Sequence, residues 1–277
     1  MMQTQIINGR KIRDEILLDV KSEVEQLSFQ PVFCDVLVGD DVVSSQYVNM
    51  KKKAATNLGI LFHDAHFSES ISQEELIEEI KKINQIQNIC GVIVQLPLPE
   101  KFSKDLVVNT IAPHLDVDCL GDGARIAFYE NMNDTGYPAA LSCVHILDSL
   151  NLDLNNKKIV IVGQGELVGK PVAHILSRRG FDITTITKST EDKDSIIKSA
   201  DILISAAGVG KFIDGSMVKE GVVIIDAGTS ESDGGIVGDV DTDSVSGVAS
   251  FISPVPGGVG PVTIAILLNN VLLIAKK

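Results

Sequence analysis

"IVIVGQGELVGKP", residues 159–171, sets a glycine-rich turn between an apolar run and a helix-like segment. Ile159 to Val162 are all β-branched and read as a strand buried on both faces, the usual pattern of a parallel strand. Gly163, Gly165 and Gly169 follow as G-x-G-x-x-x-G, one residue longer than the usual dinucleotide fingerprint. Residues without a Cβ let backbone N–H groups approach a pyrophosphate, and the positive end of the next helix adds to the attraction. The stretch predicts a βα unit that holds a dinucleotide. The bland alternative is an ordinary tight βα turn.

Working outward, the strand–helix alternation continues in both directions. Downstream, 168–179 reads as a helix, and 182–187, 200–208 and 221–228 read as strands. Upstream, strands are predicted over 31–39, 59–67 and 91–96, and helices over 9–27, 44–58, 72–87, 103–112 and 138–150. Ser72 with Glu75 forms a capping-box signature at the start of the 72–87 helix. The alternation predicts an α/β architecture with parallel sheets, in two domains that meet near 120–150. The apolar run from Val262 to Ala275 is too short to span a bilayer and carries Asn269 and Asn270, so it reads as a packed C-terminal helix.

Composition narrows the function. Over 277 residues, 24 Lys and Arg face 37 Asp and Glu, a net charge of −13. Nucleic acid and anionic membrane both need clustered positive charge, so neither is predicted as a partner. Cys34, Cys90, Cys119 and Cys143 are far apart and form no C-x-x-C pair, which predicts reduced thiols in a cytoplasm and no zinc site. His63 and His66 fall on a predicted strand at i and i+3, hence on opposite faces, and no metal site is predicted.

"SSQYVNMKKKAATNLGI" (44–60) poses a sharper question, because a triple-lysine run is usually a solvated face. At about 100° per residue, Tyr47, Lys51, Ala54 and Leu58 share one stripe, flanked by Val48 and Ala55. Lys52 and Lys53 rotate away. Lys51 is therefore predicted inside an apolar stripe beside a phenol. Desolvation favours a neutral amine, able to exchange protons near neutral pH; a snorkelling lysine is the alternative. Gln95 ends the strand "GVIVQLPLP" at its carboxyl end, where α/β sites form. Asp116 and Asp118 are two acids in a loop that could grip a polar ring, or simply form a turn. After the 182–187 strand come Thr187, Lys188, Ser189 and Thr190 with no acid until Glu191, a set suited to a 2′-phosphate, so NADP is favoured over NAD.

Together these residues resemble the methylenetetrahydrofolate dehydrogenase/methenyltetrahydrofolate cyclohydrolase family. The resemblance runs nearly end to end through "YVNMK" (47–51), "VQLPLP" (94–99), "DVD" (116–118), "VGQGELVGKP" (162–171), "VGDVD" (237–241) and "PVPGGVGPVT" (254–263). It implies a folate-binding catalytic domain at 1–138 plus 260–277 and a Rossmann-like NAD(P)-binding domain at 139–259, with the substrate in a cleft between them. It implies oxidation of 5,10-methylenetetrahydrofolate with NADP, then hydrolysis of the methenyl product to 10-formyltetrahydrofolate, in a cytoplasmic homodimer.

By the same resemblance Lys51 is the acid/base group, Tyr47 orients substrate, Gln95 tunes the lysine and Asp118 holds the pterin ring. Leu96, Pro256, Gly257 and Gly258 complete the implied folate contacts. Gly163, Gln164, Gly165, Val168 and Gly169, with Lys188, Ser189 and Thr229, are the implied cofactor contacts. Four departures stand out. Gln164 and Gly165 replace an Arg-Ser pair, and Thr187 to Thr190 replace His-Ser-Arg/Lys-Thr. Pro138 to Leu141 replace Pro-Cys-Thr-Pro, and Cys119 replaces a glycine. The competing readings are a shikimate-type dehydrogenase and a non-catalytic folate- or nucleotide-binding protein.

Overall fold

The computed structural model describes residues 3–132, 134–232 and 235–277. In chain order the elements are β1 (Gln5–Ile6), α1 (Gly9–Val24), β2 (Val32–Val38), α2 (Val42–Asn57), β3 (Leu61–Phe67), α3 (Gln73–Ile83), β4 (Ile89–Val94), α4 (Lys104–Val108), α5 (Asp122–Tyr129) and α6 (Pro138–Ser149). They continue as β5 (Ile159–Val162), α7 (Gly169–Arg178), β6 (Ile183–Ile186), α8 (Lys193–Lys198), β7 (Ile202–Ser205), β8 (Val223–Asp226), β9 (Ser230–Ser232), β10 (Gly235–Val237), α9 (Thr242–Val245), β11 (Phe251–Ser253) and α10 (Val259–Ala275). The chain is α/β and divides into two compact units: Met1–Asp14 with Ala139–Thr263, and Glu15–Pro138 with Ile264–Lys277.

In the Glu15–Pro138 unit three parallel strands lie in the order β3-β2-β4. All seven residues of β2 are buried, as a central strand covered on both faces requires. Cys34, Val36 and Val38 pack with Leu76 and Ile80 of α3 and with Val92 and Val94 of β4 in one apolar cluster. The capping box of α3 forms as the sequence predicts: Glu75 N–H donates to Ser72 Oγ at 3.2 Å, and Ser72 N–H donates to Glu75 Oε2 at 3.0 Å.

In the other unit six parallel strands run in the order β1-β11-β8-β7-β5-β6. Residues 3–14 group with this later half of the chain because β1 pairs with β11. The short elements β1, β11, α5, α8, α9 and the antiparallel pair β9 and β10 lie outside the sequence prediction, since two to eight residues carry too little periodicity to announce themselves.

Both sheets change direction of strand order at one place. The chain goes from β2 to β3 and then crosses to β4 on the other side of β2; it goes from β5 to β6 and then crosses to β7 on the other side of β5. The carboxyl ends of β2 and β4, and of β5 and β7, are therefore the crevices where α/β sheets bind ligands.

The two asparagines in the apolar C-terminal helix have separate fates. Asn270 is buried, and its Nδ2 donates to Val117 O at 2.9 Å and Gly136 O at 2.8 Å. That anchors the loop carrying Asp116 and Asp118. Asn270→Ala leaves both carbonyls without this donor and is expected to cost about 1–3 kcal/mol in urea unfolding.

Candidate active site

Helix α2 starts at Asp41, whose Oδ2 accepts the Ser44 N–H at 2.7 Å. Its buried stripe is Ser44, Val48, Lys51 and Ala55. That is the expected helical spacing, rotated from the predicted stripe. Lys51 stays at its centre, but Tyr47 moves to its margin, 43% exposed.

The surroundings of Lys51 correct the expectation of a purely apolar setting. Its Nζ donates to Gln95 Oε1 at 2.7 Å and lies 2.6 Å from Asp35 Oδ2. The Lys51 side chain is 9% exposed and that of Asp35 is 0% exposed. Gln95 is fixed in turn, since its Nε2 donates to Leu96 O at 2.7 Å. Asp35 is paired in register with Ile93, and Gln95 lies two residues beyond it, so strand alternation puts Asp35 and Gln95 on one face of the sheet.

The other two lysines answer the question posed by the run. Lys52 sits 3.0 Å from Asp64 Oδ2 and 5.7 Å from the Phe62 ring centroid, while Lys53 is exposed. Asp64 is the register partner of Asp35 on β3. Two carboxylates of adjacent strands thus receive two consecutive lysines of α2.

Sequence reading missed Asp35. The signal was available: a carboxylate inside the otherwise apolar run "VFCDVLV" is almost never fully buried without a partner. Burial pushes the Asp35 carboxyl up from its ordinary value, and the Lys51 ammonium opposes that shift.

The two loop acids divide their work. Asp116 is buried and organises the turn: its Oδ2 accepts the Gly121 N–H at 2.7 Å and its Oδ1 the Asp118 N–H at 3.2 Å. Asp118 is half-buried, and its carboxyl is pushed up to about 6, chiefly by burial and then by the Asp116 carboxylate. Lys51 opposes that shift and the Asp35 carboxylate adds to it, so the three groups share one electrostatic neighbourhood. Cys119 adopts φ 60°, the left-handed region that suits the glycine it replaces.

In the other unit, a cavity of about 550 Å³ opens at the carboxyl ends of β5, β6 and β7. Gly163, Gln164, Gly165 and Lys188 line it as expected. Lys193, Asp194, Phe212 and Met217 also line it and lie outside the sequence prediction. The glycine turn fits a dinucleotide. Gly163 sits at φ +94°, and a Cβ there would meet Ala206 O at 2.4 Å. A Cβ on Gly165 meets nothing within 4 Å, so that part of the backbone is open to a ligand.

Val168 is the N-cap of α7 and Gly169 its first residue. Ser189 and the exposed Thr229 are not lining residues; the Ser189 hydroxyl lies 2.9 Å from Thr187 Oγ1. Pro256, Gly257 and Gly258 form the loop after β11, in which Gly257 O accepts the Gly9 N–H at 3.0 Å.

The loops around this cavity hang on two buried carboxylates. Asp239 accepts from Ser205 Oγ, Ala207 N–H and Val209 N–H at 2.7, 2.7 and 2.8 Å. Asp226 accepts from Gly228 N–H and Val240 N–H, each at 2.9 Å. These bonds explain the "VGDVD" motif: Asp239 fixes the backbone of 207–209 at the cavity rim.

A parallel three-strand and six-strand α/β pair, with a glycine turn at one switch point and a buried lysine at the other, defines a two-domain dinucleotide-dependent enzyme class. The comparisons narrow it. Residues 7–118 match the model of the tetrahydrofolate dehydrogenase/cyclohydrolase catalytic domain, and residues 138–277 match that of its NAD(P)-binding domain. The chain belongs to the tetrahydrofolate dehydrogenase/cyclohydrolase family.

It is 39% identical over 277 residues to the bifunctional protein FolD of Halothermothrix orenii, covering 98% of each chain. It superposes on the FolD crystal structure from Campylobacter jejuni with a TM-score of 0.93 at 34% identity, covering 99% of each chain. The Trypanosoma brucei enzyme, solved with NADP and an inhibitor, gives a TM-score of 0.91 at 29% identity over 100% of this chain and 98% of that one.

Asp118 supplies a pH test. Its carboxyl titrates near 6 in the fold, against about 3.9 in the unfolded chain. The folded state therefore holds the extra proton, and the stability this group contributes is full below about pH 4 and lost as pH rises towards 6. Asp118→Asn should gain stability relative to wild type across that window in urea titrations, with no further gain above it.

Proposed function

We propose that Lys51 is the acid/base group of a bifunctional methylenetetrahydrofolate dehydrogenase and methenyltetrahydrofolate cyclohydrolase. One observation carries the reading: the Lys51 ammonium is buried, yet held by Gln95 at 2.7 Å at the carboxyl end of β4. Family membership favours this over a shikimate-type dehydrogenase or a non-catalytic binding protein.

The roles follow from chemistry. Tyr47, one helical turn before Lys51, stacks on a folate ring and orients it in this reading, which its exposure supports. Asp118 accepts hydrogen bonds from the amino and ring N–H groups of the pterin, and Leu96 with Pro256, Gly257 and Gly258 supplies close contacts. Lys51 moves protons while water adds to the methenyl carbon. Gly163, Gln164, Gly165, Val168 and Gly169 would hold the pyrophosphate of NADP against the N-terminus of α7, and the cofactor would supply the hydride acceptor of the oxidation step. Lys188 and Lys193 at the cavity, with the hydroxyl of Ser189 next to Lys188 in the chain and that of Thr229 as a further contact, favour its 2′-phosphate, with NAD as the alternative cofactor.

The same reading takes the folate-binding catalytic part as residues 1–138 plus 260–277 and the NAD(P)-binding part as 139–259. It places a homodimer in the cytoplasm; the four cysteines are free and buried, which supports a reducing compartment. No helix among the described residues is long and apolar enough to cross a membrane.

Lys51→Ala should lower cyclohydrolase turnover by roughly a hundredfold or more, followed by loss of methenyltetrahydrofolate absorbance. Normal turnover in that variant would refute the assignment. The double change Lys188→Ala and Lys193→Ala should raise KM for NADP at least about tenfold while leaving KM for NAD nearly unmoved, since only the former carries the extra phosphate.

A further inference from the structure

A buried lysine that works as a base needs somewhere for its own proton to go. Gln95 cannot take it: an amide oxygen accepts a hydrogen bond but does not titrate near neutral pH. Among the described residues, Asp35 is the only acid within ion-pair distance of Lys51 Nζ. We propose that Asp35 is the proton partner of Lys51: its Oδ2 takes one proton across the 2.6 Å contact, so that Lys51 presents a neutral amine to the water that attacks the methenyl carbon. This rests on the reading of Lys51 as the acid/base group.

The step balances. An N–H bond of Lys51 breaks with its electron pair left on Nζ, an O–H bond forms on Asp35, and the pair remains neutral. Nζ then takes a proton from the attacking water as the new C–O bond cancels the charge of the methenyl carbon. Ring opening moves the hydroxyl proton to the departing nitrogen. The pair is left with one surplus proton, which is the proton that this hydrolysis releases overall, and it returns to water with the product.

The setting favours a proton on Asp35. Neither Asp35 oxygen accepts a hydrogen bond among the described residues, the Lys51 contact at Oδ2 being an ion pair of 2.6 Å, so no backbone N–H holds the carboxylate ionised. Asp64 faces it from β3 and is itself engaged by Lys52 of α2. Asp118, in the loop after β4, is coupled to Asp35 as a like charge. Cys34, its chain neighbour, is a buried thiol pushed well up, so it contributes no positive or negative charge. Burial then raises the Asp35 carboxyl in spite of the ammonium.

Asp35→Asn keeps the shape and an acceptor oxygen but cannot take the proton. Cyclohydrolase kcat and KM are measured from about pH 6 to 9. The variant should lose at least about tenfold in kcat at neutral pH with KM little changed, and the acid limb of its profile should move up by about one unit or more. Asp35→Glu should restore the wild-type limb. An unmoved limb in Asp35→Asn, with the rate kept or lost, overturns the proposal, because loss without a shift is a structural effect. Should Asp35→Asn fail to fold, ¹³C-carboxyl NMR of the wild-type chain decides: protonation of Asp35 well above the exposed aspartates supports the proposal, and titration alongside them overturns it. Lys51→Met separates the two readings. If that variant keeps turnover, the role of Lys51 falls and this proposal with it. If it is inactive while the limb in Asp35→Asn is unmoved, only Asp35 is misassigned.

Discussion

The contact between Asp35 and Lys51 sets the terms for the rest of the Glu15–Pro138 unit. Removing either charge alone strands the other in a dry place, a change that costs about 3–5 kcal/mol where such pairs have been broken. Keeping both requires α2 to sit over β2 at one rotation, with Lys51 turned inward. Once that rotation is set, Tyr47 emerges at the margin of the helix, Lys52 reaches Asp64, and Gln95 closes on the ammonium from the end of β4. An apolar core would tolerate small rotations of the helix; a buried ion pair does not.

The two units solve the same geometric problem with different chemistry. Each has a parallel sheet whose strand order reverses at one point, and each puts its functional groups at that point. In one, the crevice sets the glycine turn, Lys188 and Lys193 beside Asp194 and an apolar wall that includes Phe212 and Met217, which suits a phosphate-bearing dinucleotide. In the other it carries the Lys51, Asp35 and Gln95 side chains in mutual contact. Buried carboxylates support both. Asp116 ties the loop that presents Asp118, and Asp239 ties the loop at the cavity rim, each by accepting several backbone N–H groups. Burial pushes the Asp116 carboxyl up as it does those of Asp35 and Asp118, but Asp116 is tied into its turn by backbone donors that Asp35 lacks.

Departures from the family pattern acquire physical content in the structure. Cys119 at φ 60° occupies a conformation that the replaced glycine adopts at no cost, so the chain accepts local strain next to Asp118. Gln164 and Gly165 leave the glycine turn without a cation, while Lys193 on the short helix α8 brings a positive charge to the same cavity, where its Nζ donates to Lys188 O at 2.7 Å.

Long periodic segments were legible in the amino-acid sequence because burial on both faces of a parallel strand and one face of a helix imposes patterns that survive without coordinates. By that route the sequence determined the α/β class, the glycine turn after β5, the capping box of α3, and Lys51 as the inward member of a triple-lysine run. Tertiary structure alone decided what Lys51 meets. Asp35 is sixteen residues away in the chain, on a different element, and its meaning depends on strand register and helix rotation rather than on local propensity. The same holds for Lys193 at the cavity beside the glycine turn and for the split between Asp116 and Asp118. A side chain's electrostatic environment is a sum over neighbours in space, and that sum is written only when the chain has folded.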